Sequence, residues 1–351
     1  MTKPRKARSR RGRLVAAAVV CVALAWRLRR PRAAYDLAGR TVLITGGSRG
    51  LGLALAQAAS AMGARVAICG RDAGSLERAR SLLQRRGGEV VAIPCDVRHQ
   101  ASVRQLIESV RVRLGPVDVL INNAGVIEVG PAGAMSLADY QEAMDTNFWG
   151  VLHATAAVLP DMQARGSGRI VNITSVGAKI GVPHLIPYSA SKFAALGLTQ
   201  ALRAELAAEG IAVVAVVPGL MRTGSPRNAI FRGRHRAEYA WFSIADSLPG
   251  LSISVKRAAR LILAGCARGD AEVRFPLSTW LAAAANGLAP ELTSKALGVA
   301  ARLLPRMDPT TGMRLSGRES QSPVSPSWLT WLGDRAARRY NQIAPQEPAR
   351  G

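Results

Sequence analysis

Thr41-Val42-Leu43-Ile44-Thr45-Gly46-Gly47-Ser48-Arg49-Gly50-Leu51-Gly52 is a short apolar run that breaks directly into a glycine-rich turn. Its β-branched residues Thr41, Val42, Ile44 and Thr45 favour an extended backbone. Gly46, Gly50 and Gly52 let the chain turn tightly and bring its main chain close to a ligand. Beyond the turn, apolar residues at helical spacing predict a helix over 50–62. The first N–H groups of that helix and its dipole attract an anion, and a dinucleotide pyrophosphate suits such a strand–turn–helix. A glycine turn alone is weak evidence, because Gly also marks ordinary turns. The strand before it and the helix after it give this one its meaning.

Outward from that turn, short apolar runs alternate with helical stretches. Strands are predicted at 65–69, 90–94, 117–122, 169–174, 211–217 and 272–275, with helices between them, including long ones at 137–165 and 188–209. Alternation of this kind means βαβ units and a parallel sheet buried on both faces. The expected fold is a doubly wound, Rossmann-like α/β sheet of about seven strands with helices on both faces. It should occupy residues 37–276. Residues 277–351 should form a helical, then partly disordered extension. Within it, 279–304 is Ala- and Leu-rich, 306–327 reads as a polar linker, and 328–340 as one more short helix.

The 351 residues carry a formal net charge of +24, yet residues 1–32 alone hold eleven Lys or Arg and no acid. No aromatic–basic interleaving accompanies the charge, so nucleic acid is excluded as the partner. Residues 14–26 between the basic clusters are uncharged. As a helix they would span about 20 Å, against about 30 Å of bilayer hydrocarbon. A signal peptide, an interfacial anchor and an unstructured tail all remain open for residues 1–36, and the anchor fits the length and flanking arginines best. That reading places the protein in the cytoplasm, peripheral to the inner face of a membrane. Cys21, Cys69, Cys95 and Cys266 have no CxxC or His-coupled spacing, so buried reduced thiols are expected and no metal site.

The turn resembles the Thr-Gly-x-x-x-Gly-x-Gly signature of the short-chain dehydrogenase/reductase family. Further stations follow in order. Asp96 closes the third strand, Asn122-Asn123-Ala124-Gly125 the fourth, and Asn147 lies in the next helix. Ser175 follows the fifth strand, Tyr188 and Lys192 come thirteen and seventeen residues later, and Pro218-Gly219 with Thr223 follows the sixth. The resemblance covers about 240 of the 351 residues. It implies an enzyme that passes hydride between a nicotinamide cofactor and a carbonyl/alcohol pair. The cofactor would run along Gly46, Ser48, Arg49, Gly50, Leu51, Gly52, Arg71, Asp96, Val97, Asn123, Ala124, Gly125, Pro218, Gly219 and Thr223 to reach Tyr188 and Lys192. By the same resemblance Asn147 holds a water behind Lys192.

The side chains support this chemistry on their own terms. Tyr188 and Lys192 are i and i+4 on one helix, so they share a face. A phenol with an ordinary pKa near 10 is a poor catalyst at pH 7. A neighbouring ammonium should draw it towards working pH, and Ser175 supplies a hydroxyl for the substrate oxygen. Singly, Ser175 reads as a strand-end hydroxyl and Asn147 as a helix-interior amide; jointly the four residues read as catalytic. The second strand ends in Cys69-Gly70-Arg71, and Arg49 lies inside the turn. Two guanidiniums at that strand end favour the 2′-phosphate of NADP(H), while Asp72 is one residue late and should cap the next helix. Residues 220–251 should be the substrate lid, with Met221, Phe231, Tyr239, Trp241, Phe242 and Ile244 set among arginines. They favour a small hydrophobic carbonyl or alcohol, or else merely pack the lid onto the body. The long helices offer surfaces for a homo-oligomer. A catalytically silent NADP(H)-binding regulator on the same fold is the alternative function.

Overall fold

Seven strands, all parallel, assemble the sheet: β1 Thr41–Thr45, β2 Arg65–Gly70, β3 Val90–Pro94, β4 Val119–Asn122, β5 Gly168–Ile173, β6 Ile211–Pro218 and β7 Glu272–Phe275. The computed structural model describes residues 34–307 and 313–343. The 14–26 segment and Cys21 lie outside the described residues. The strand order is β3-β2-β1-β4-β5-β6-β7, with Thr41 opposite Arg65 on one side of β1 and Val42 opposite Val119 on the other. The chain winds outward from β1 to β3, then crosses back to β4. The carboxyl ends of β1 and β4 therefore flank the point where the winding reverses, where a crevice opens for ligand.

The strands are apolar nearly throughout because both faces are covered. Leu43, Ala67, Leu120, Ile170 and Val213 form one fully buried layer across five strands. Over it pack α3 Gln100–Leu114 through Val103, Leu106, Ile107 and Val110, and α5 Gly150–Arg165 through Ala154, Val158 and Met162. Each Val, Leu, Ile or Met among them contributes about 1.5–3 kcal/mol by leaving water. On the other side, α1 Gly50–Ala61 packs against α8 Val255–Arg268. Helix α2 Ala73–Gln84 starts where Asp72 accepts the Ser75 N–H at 2.7 Å, the capping role its position suggested. Cys69, Cys95 and Cys266 are buried and free.

The long helix expected over 137–165 is three pieces: α4 Leu137–Met144, a π-helical segment Asp145–Trp149, and α5. Asn147 sits in the π segment, whose extra residue per turn swings its side chain inward, where it is fully buried. The helix expected over 188–209 begins earlier, as α6 Ile186–Leu206, and finishes in a 3-10 turn to Glu209.

Residues 220–251 form a small layer over the crevice, ending in α7 His235–Ser247. Phe231, Tyr239 and Phe242 are buried against Val129, Leu185 and Ala229, so these aromatics fasten the lid to the body. The basic rim is partly spent: Arg227 pairs with Asp334 and Arg232 with Asp139, each at 2.9 Å. Beyond the sheet, α9 Leu277–Leu288 and α10 Pro290–Ala301 form a hairpin. The polar stretch that reads as a linker folds back instead. Leu315–Ser316 pairs antiparallel with Ile230–Phe231, and Ser320 and Ser325 are fully buried. A last helix, α11 Trp331–Arg339, packs on α7.

Candidate active site

The turn after β1 and the turn after β4 are bound into one unit. Thr45 Oγ1 accepts the N–H groups of Asn123 and Ala124 at 3.0 and 3.1 Å, and Asn123 Nδ2 donates to Thr45 O and Gly46 O, both at 3.0 Å. The glycines are required by contact as well as by turn geometry. A Cβ on Gly46 would lie 2.8 Å from Ala124 Cα, and one on Gly52 would lie 2.1 Å from Gly46 O. One on Gly125 would meet Asn147 Oδ1 at 2.9 Å and Lys192 Nζ at 3.6 Å. The two turns and the catalytic candidates thus meet around bare backbone.

Ser175 lies two residues beyond β5 at the head of a 3-10 turn, where its Oγ accepts the Gly177 N–H at 3.1 Å and hydrogen-bonds the Tyr188 phenol. Lys192 is buried, donates to Ile173 O at 2.9 Å, and places its Nζ 5.7 Å from the centre of the Tyr188 ring. Asn147 Nδ2 donates to Val126 O and to Ser191 Oγ, while its Oδ1 accepts from Val126 N. The resemblance gave Asn147 a water; here its amide is committed to Val126 and Ser191, with Lys192 close by across Gly125.

Burial dominates the electrostatics. It pushes the Tyr188 phenol up to about 12, against the downward pull of its bond to Ser175, and draws Lys192 down to about 8. The downward shift expected from a neighbouring ammonium is therefore outweighed, because Lys192 is itself stripped of water and its charged form disfavoured. Glu128, fully buried with no hydrogen-bond partner on either carboxyl oxygen among the described residues, adds its field to both groups. Burial, then Glu142 and Asp139, push Glu128 itself up to about 8.

At the far end of the crevice, the Arg49 guanidinium is held below its ordinary pKa by burial and then by repulsion from Arg318 and Arg71, with Asp72 the opposing charge. Asp72 is committed to capping α2, so this end is strongly cationic. Arg318 was not legible in sequence: it comes from the extension, 90 positions from the Asn228 it touches. Asp96 is bound by Arg98 through a 2.6 Å ion pair, and Val97, buried beside it, packs under Gly150. On the β6 side, Gly219 N donates to Phe275 O at 2.7 Å, and Thr223 Oγ1 accepts from Ser225 N at 3.1 Å. Ser48 and Leu51 are buried in the turn itself. Direct contacts bring Thr45, Gly46, Gly52, Asn123, Ala124, Gly125, Asn147 and Lys192 together at the carboxyl ends of β1 and β4. A cradle closed to any side chain, a helix N-terminus and a cationic far end together fit a phosphorylated dinucleotide.

The sheet order and the crevice at its switch point define a dinucleotide-binding α/β protein. A sequence profile described as short chain dehydrogenase matches residues 40–230. The ketoacyl reductase HetN of Nostoc sp. is 41% identical over 183 residues, 52% of this chain and 64% of that protein. The dehydrogenase/reductase SDR family protein 7-like of Anopheles gambiae is 33% identical over 271 residues, 76% of this chain and 84% of that one. Among solved structures, an actinorhodin polyketide ketoreductase with NADPH superimposes with TM-score 0.61 at 33% identity, covering 69% of this chain and 97% of that one. A gluconate 5-dehydrogenase from Burkholderia cenocepacia, in complex with NADP and tartrate, gives 0.62 at 28% identity, covering 71% and 98%. The chain belongs to the short-chain dehydrogenase family, and it is an oxidoreductase of the CH–OH/C=O couple.

Proposed function

We propose that this enzyme uses NADP(H) to interconvert a carbonyl and an alcohol on a small hydrophobic substrate, with Tyr188 as the acid–base. The observation that carries this reading is the gathering of Tyr188, Ser175 and Lys192 at the carboxyl end of β5, with Asn147 behind them. The cofactor, when bound, supplies or accepts the hydride. Tyr188 Oη gives a proton to the carbonyl oxygen during reduction and takes it back during oxidation. Ser175 Oγ, already turned to Tyr188, donates to the same substrate oxygen as negative charge builds on it. Lys192 presents a short cationic side chain to the phenol and to the ribose edge. Asn147 fixes the Val126 backbone and also Ser191, whose Oγ donates to the Tyr188 carbonyl one turn earlier in α6.

The choice of NADP(H) is supported by Arg49, Arg71 and Arg318 and by a carboxylate, Asp72, that is already in use. The apolar layer of Val129, Leu185 and Trp241 beside Tyr188 supports a hydrophobic substrate. Residues 37–276 make up the catalytic domain in this reading. Apolar surface at Trp149 and Phe193, each 44% exposed, would serve a homo-oligomer. Peripheral placement at the inner face of a membrane draws on the basic arm and on the exposed apolar hairpin of α9 and α10. Among the described residues no helix is long and apolar enough to cross a membrane.

The test is a side-by-side titration of NADPH and NADH, followed by NADPH oxidation against a panel of hydrophobic ketones, quinones and aldehydes. Tight NADPH binding with turnover of at least one ketone class is expected. A preference for NADH would overturn the cofactor assignment. Tight NADPH binding with no turnover on any carbonyl would leave the silent regulator in its place.

A further inference from the structure

The phosphate end of the cleft already holds part of its own chain. The carbonyl of Tyr340 accepts the N–H of Gly50, the first residue of α1, at 2.8 Å. Asn341 Nδ2 donates to Ser48 O and Ser75 O, each at 2.9 Å, and its Oδ1 accepts from Arg78 Nε at 3.1 Å. The Gln342 side chain lies against Gly50, where a Cβ would be 2.7 Å from its Nε2 and 3.9 Å from Thr223. Its Oε1 accepts from Asn228 Nδ2, and its main-chain oxygen from Arg318 at 2.9 Å. Arg49 donates to Asn228 Oδ1 at 2.9 Å. The Gly50 N–H and the Arg49 guanidinium are the donors that the helix N-terminus and the glycine turn would offer a pyrophosphate, and each here faces an uncharged oxygen of the same polypeptide. With Tyr340, Asn341 and Gln342 between 4% and 7% exposed, the segment is seated rather than draped.

We propose that residues 340–342 are an intramolecular ligand for the phosphate end of the cofactor cleft, a latch that the dinucleotide must displace. The proposal rests on the NADP(H) reading above. The Gly50 N–H and the space over Gly50 cannot serve Tyr340, Gln342 and a pyrophosphate at once. Charge-assisted hydrogen bonds to phosphate are roughly twice as strong as those to neutral oxygens, so a dinucleotide at sufficient concentration prevails, and the tail returns when it leaves. The latch is also coupled to the substrate lid. Helix α11, immediately before it, reaches α7 and the lid loop closely: a Cβ on Gly333 would lie 2.6 Å from Ser247 Oγ, and one on Gly224 2.4 Å from Ala337. Asp334 of α11 holds Arg227 of the lid. Displacing 340–342 therefore loosens the same helix that secures the lid.

The experiment measures the NADPH dissociation constant by cofactor fluorescence for three proteins: the full chain, a chain ending at Arg339, and the full-length double variant Asn341→Ala/Gln342→Ala. A tail seated nine-tenths of the time weakens apparent affinity about tenfold. Both variants should therefore bind NADPH about tenfold more tightly than the full chain. In a second readout, NADPH should accelerate carboxypeptidase trimming of the full chain. Equal or weaker binding by the double variant, or NADPH protecting the C-terminus from trimming, overturns the latch. If the shortened chain shows no cooperative melting, the double variant decides. If the folded proteins bind neither NADPH nor NADH, the cofactor reading itself fails and the latch falls with it. Equal affinities in all three would remove the latch alone.

Discussion

Tyr188 carries a phenol pushed up to about 12, next to a lysine drawn down to about 8, because both are enclosed by protein. A protonated phenol at neutral pH is the form that reduction needs, whereas oxidation needs the phenolate. Reduction should thus vary little between pH 6 and 8, and oxidation should climb steeply with pH, as initial rates in both directions will show. Tyr188→Phe should lower kcat about 10²–10⁴-fold while NADPH affinity stays nearly unchanged, since it removes a proton donor and no cofactor contact. A variant keeping a tenth of the rate would take that role from Tyr188. Lys192→Arg should also be severe, because a planar guanidinium cannot occupy the space of an ammonium bonded to Ile173 O. Glu128 gives a separate prediction about stability. Its carboxyl is raised to about 8 in the fold, first by burial and then by repulsion from Glu142 and Asp139, with Arg314 attracting it. The folded state thus holds a proton that the unfolded state releases near the ordinary value of about 4.3. This contribution is fully present below that ordinary value and is lost as pH rises through about 8. Glu128→Gln should raise the melting temperature at pH 8 and leave it almost unchanged at pH 4.5. The gain is on the order of 1–3 kcal/mol, and a thermal melt at the two pH values measures it.

The glycine turn is the element on which the cofactor reading depends most. Gly52→Ala would drive a methyl into Gly46 O, a main-chain atom with no flexible end to yield, so the turn must open rather than adjust. Loss of NADPH binding in a protein that still melts cooperatively is expected. Wild-type affinity in that variant would remove the turn from the cofactor site. This element was legible from residues 41–52 because strand, turn and helix are contiguous and each uses residues suited to its backbone. The strands were legible for a related reason: burial on both faces leaves unbroken apolar runs such as Val119-Leu120-Ile121 and Ile211–Pro218. Two features were not. The π segment Asp145–Trp149 interrupts a stretch whose composition stays helical on both sides, so only hydrogen-bond register marks it. The seating of Asn341 on Ser48 joins residues 293 positions apart, and no local pattern carries such a contact. The candidate catalytic side chains were singled out by motif, but their electrostatics depend on packing that a motif does not describe.

Taken whole, the molecule is an α/β oxidoreductase with two additions at its C-terminal side, one turned in on the cofactor cleft and one turned outward. The outward one is the α9–α10 hairpin. It is fixed to the body by α9, where Thr279 bonds Phe275 O and Asn286 bonds Lys179 O, whereas α10 has no buried residue. Leu281, Leu288, Leu292 and Leu303 are 63%, 88%, 69% and 84% exposed, with Trp280 and Leu277 beside them. Such a concentration of exposed apolar side chains is more than a scattered surface Leu or two, and it is what a contact site would need. Lys295, Arg302 and Arg306 lie on or just after α10, and eleven further basic residues lie in 1–32. Apolar side chains beside cations suit an anionic lipid surface, where burial supplies affinity and each Lys or Arg adds about 1 kcal/mol. The full chain should therefore float with vesicles containing phosphatidylserine and much less with phosphatidylcholine alone. Salt at 0.5 M should release part of it by screening the charges and leave the apolar share. Leu281→Glu with Leu292→Glu should lower flotation several-fold while turnover of a soluble ketone is kept, because neither residue approaches Tyr188. Equal flotation of the variant and the parent would remove the hairpin from membrane contact and leave the basic arm as its sole basis. No flotation of the parent at low salt would remove the membrane from the description of this enzyme.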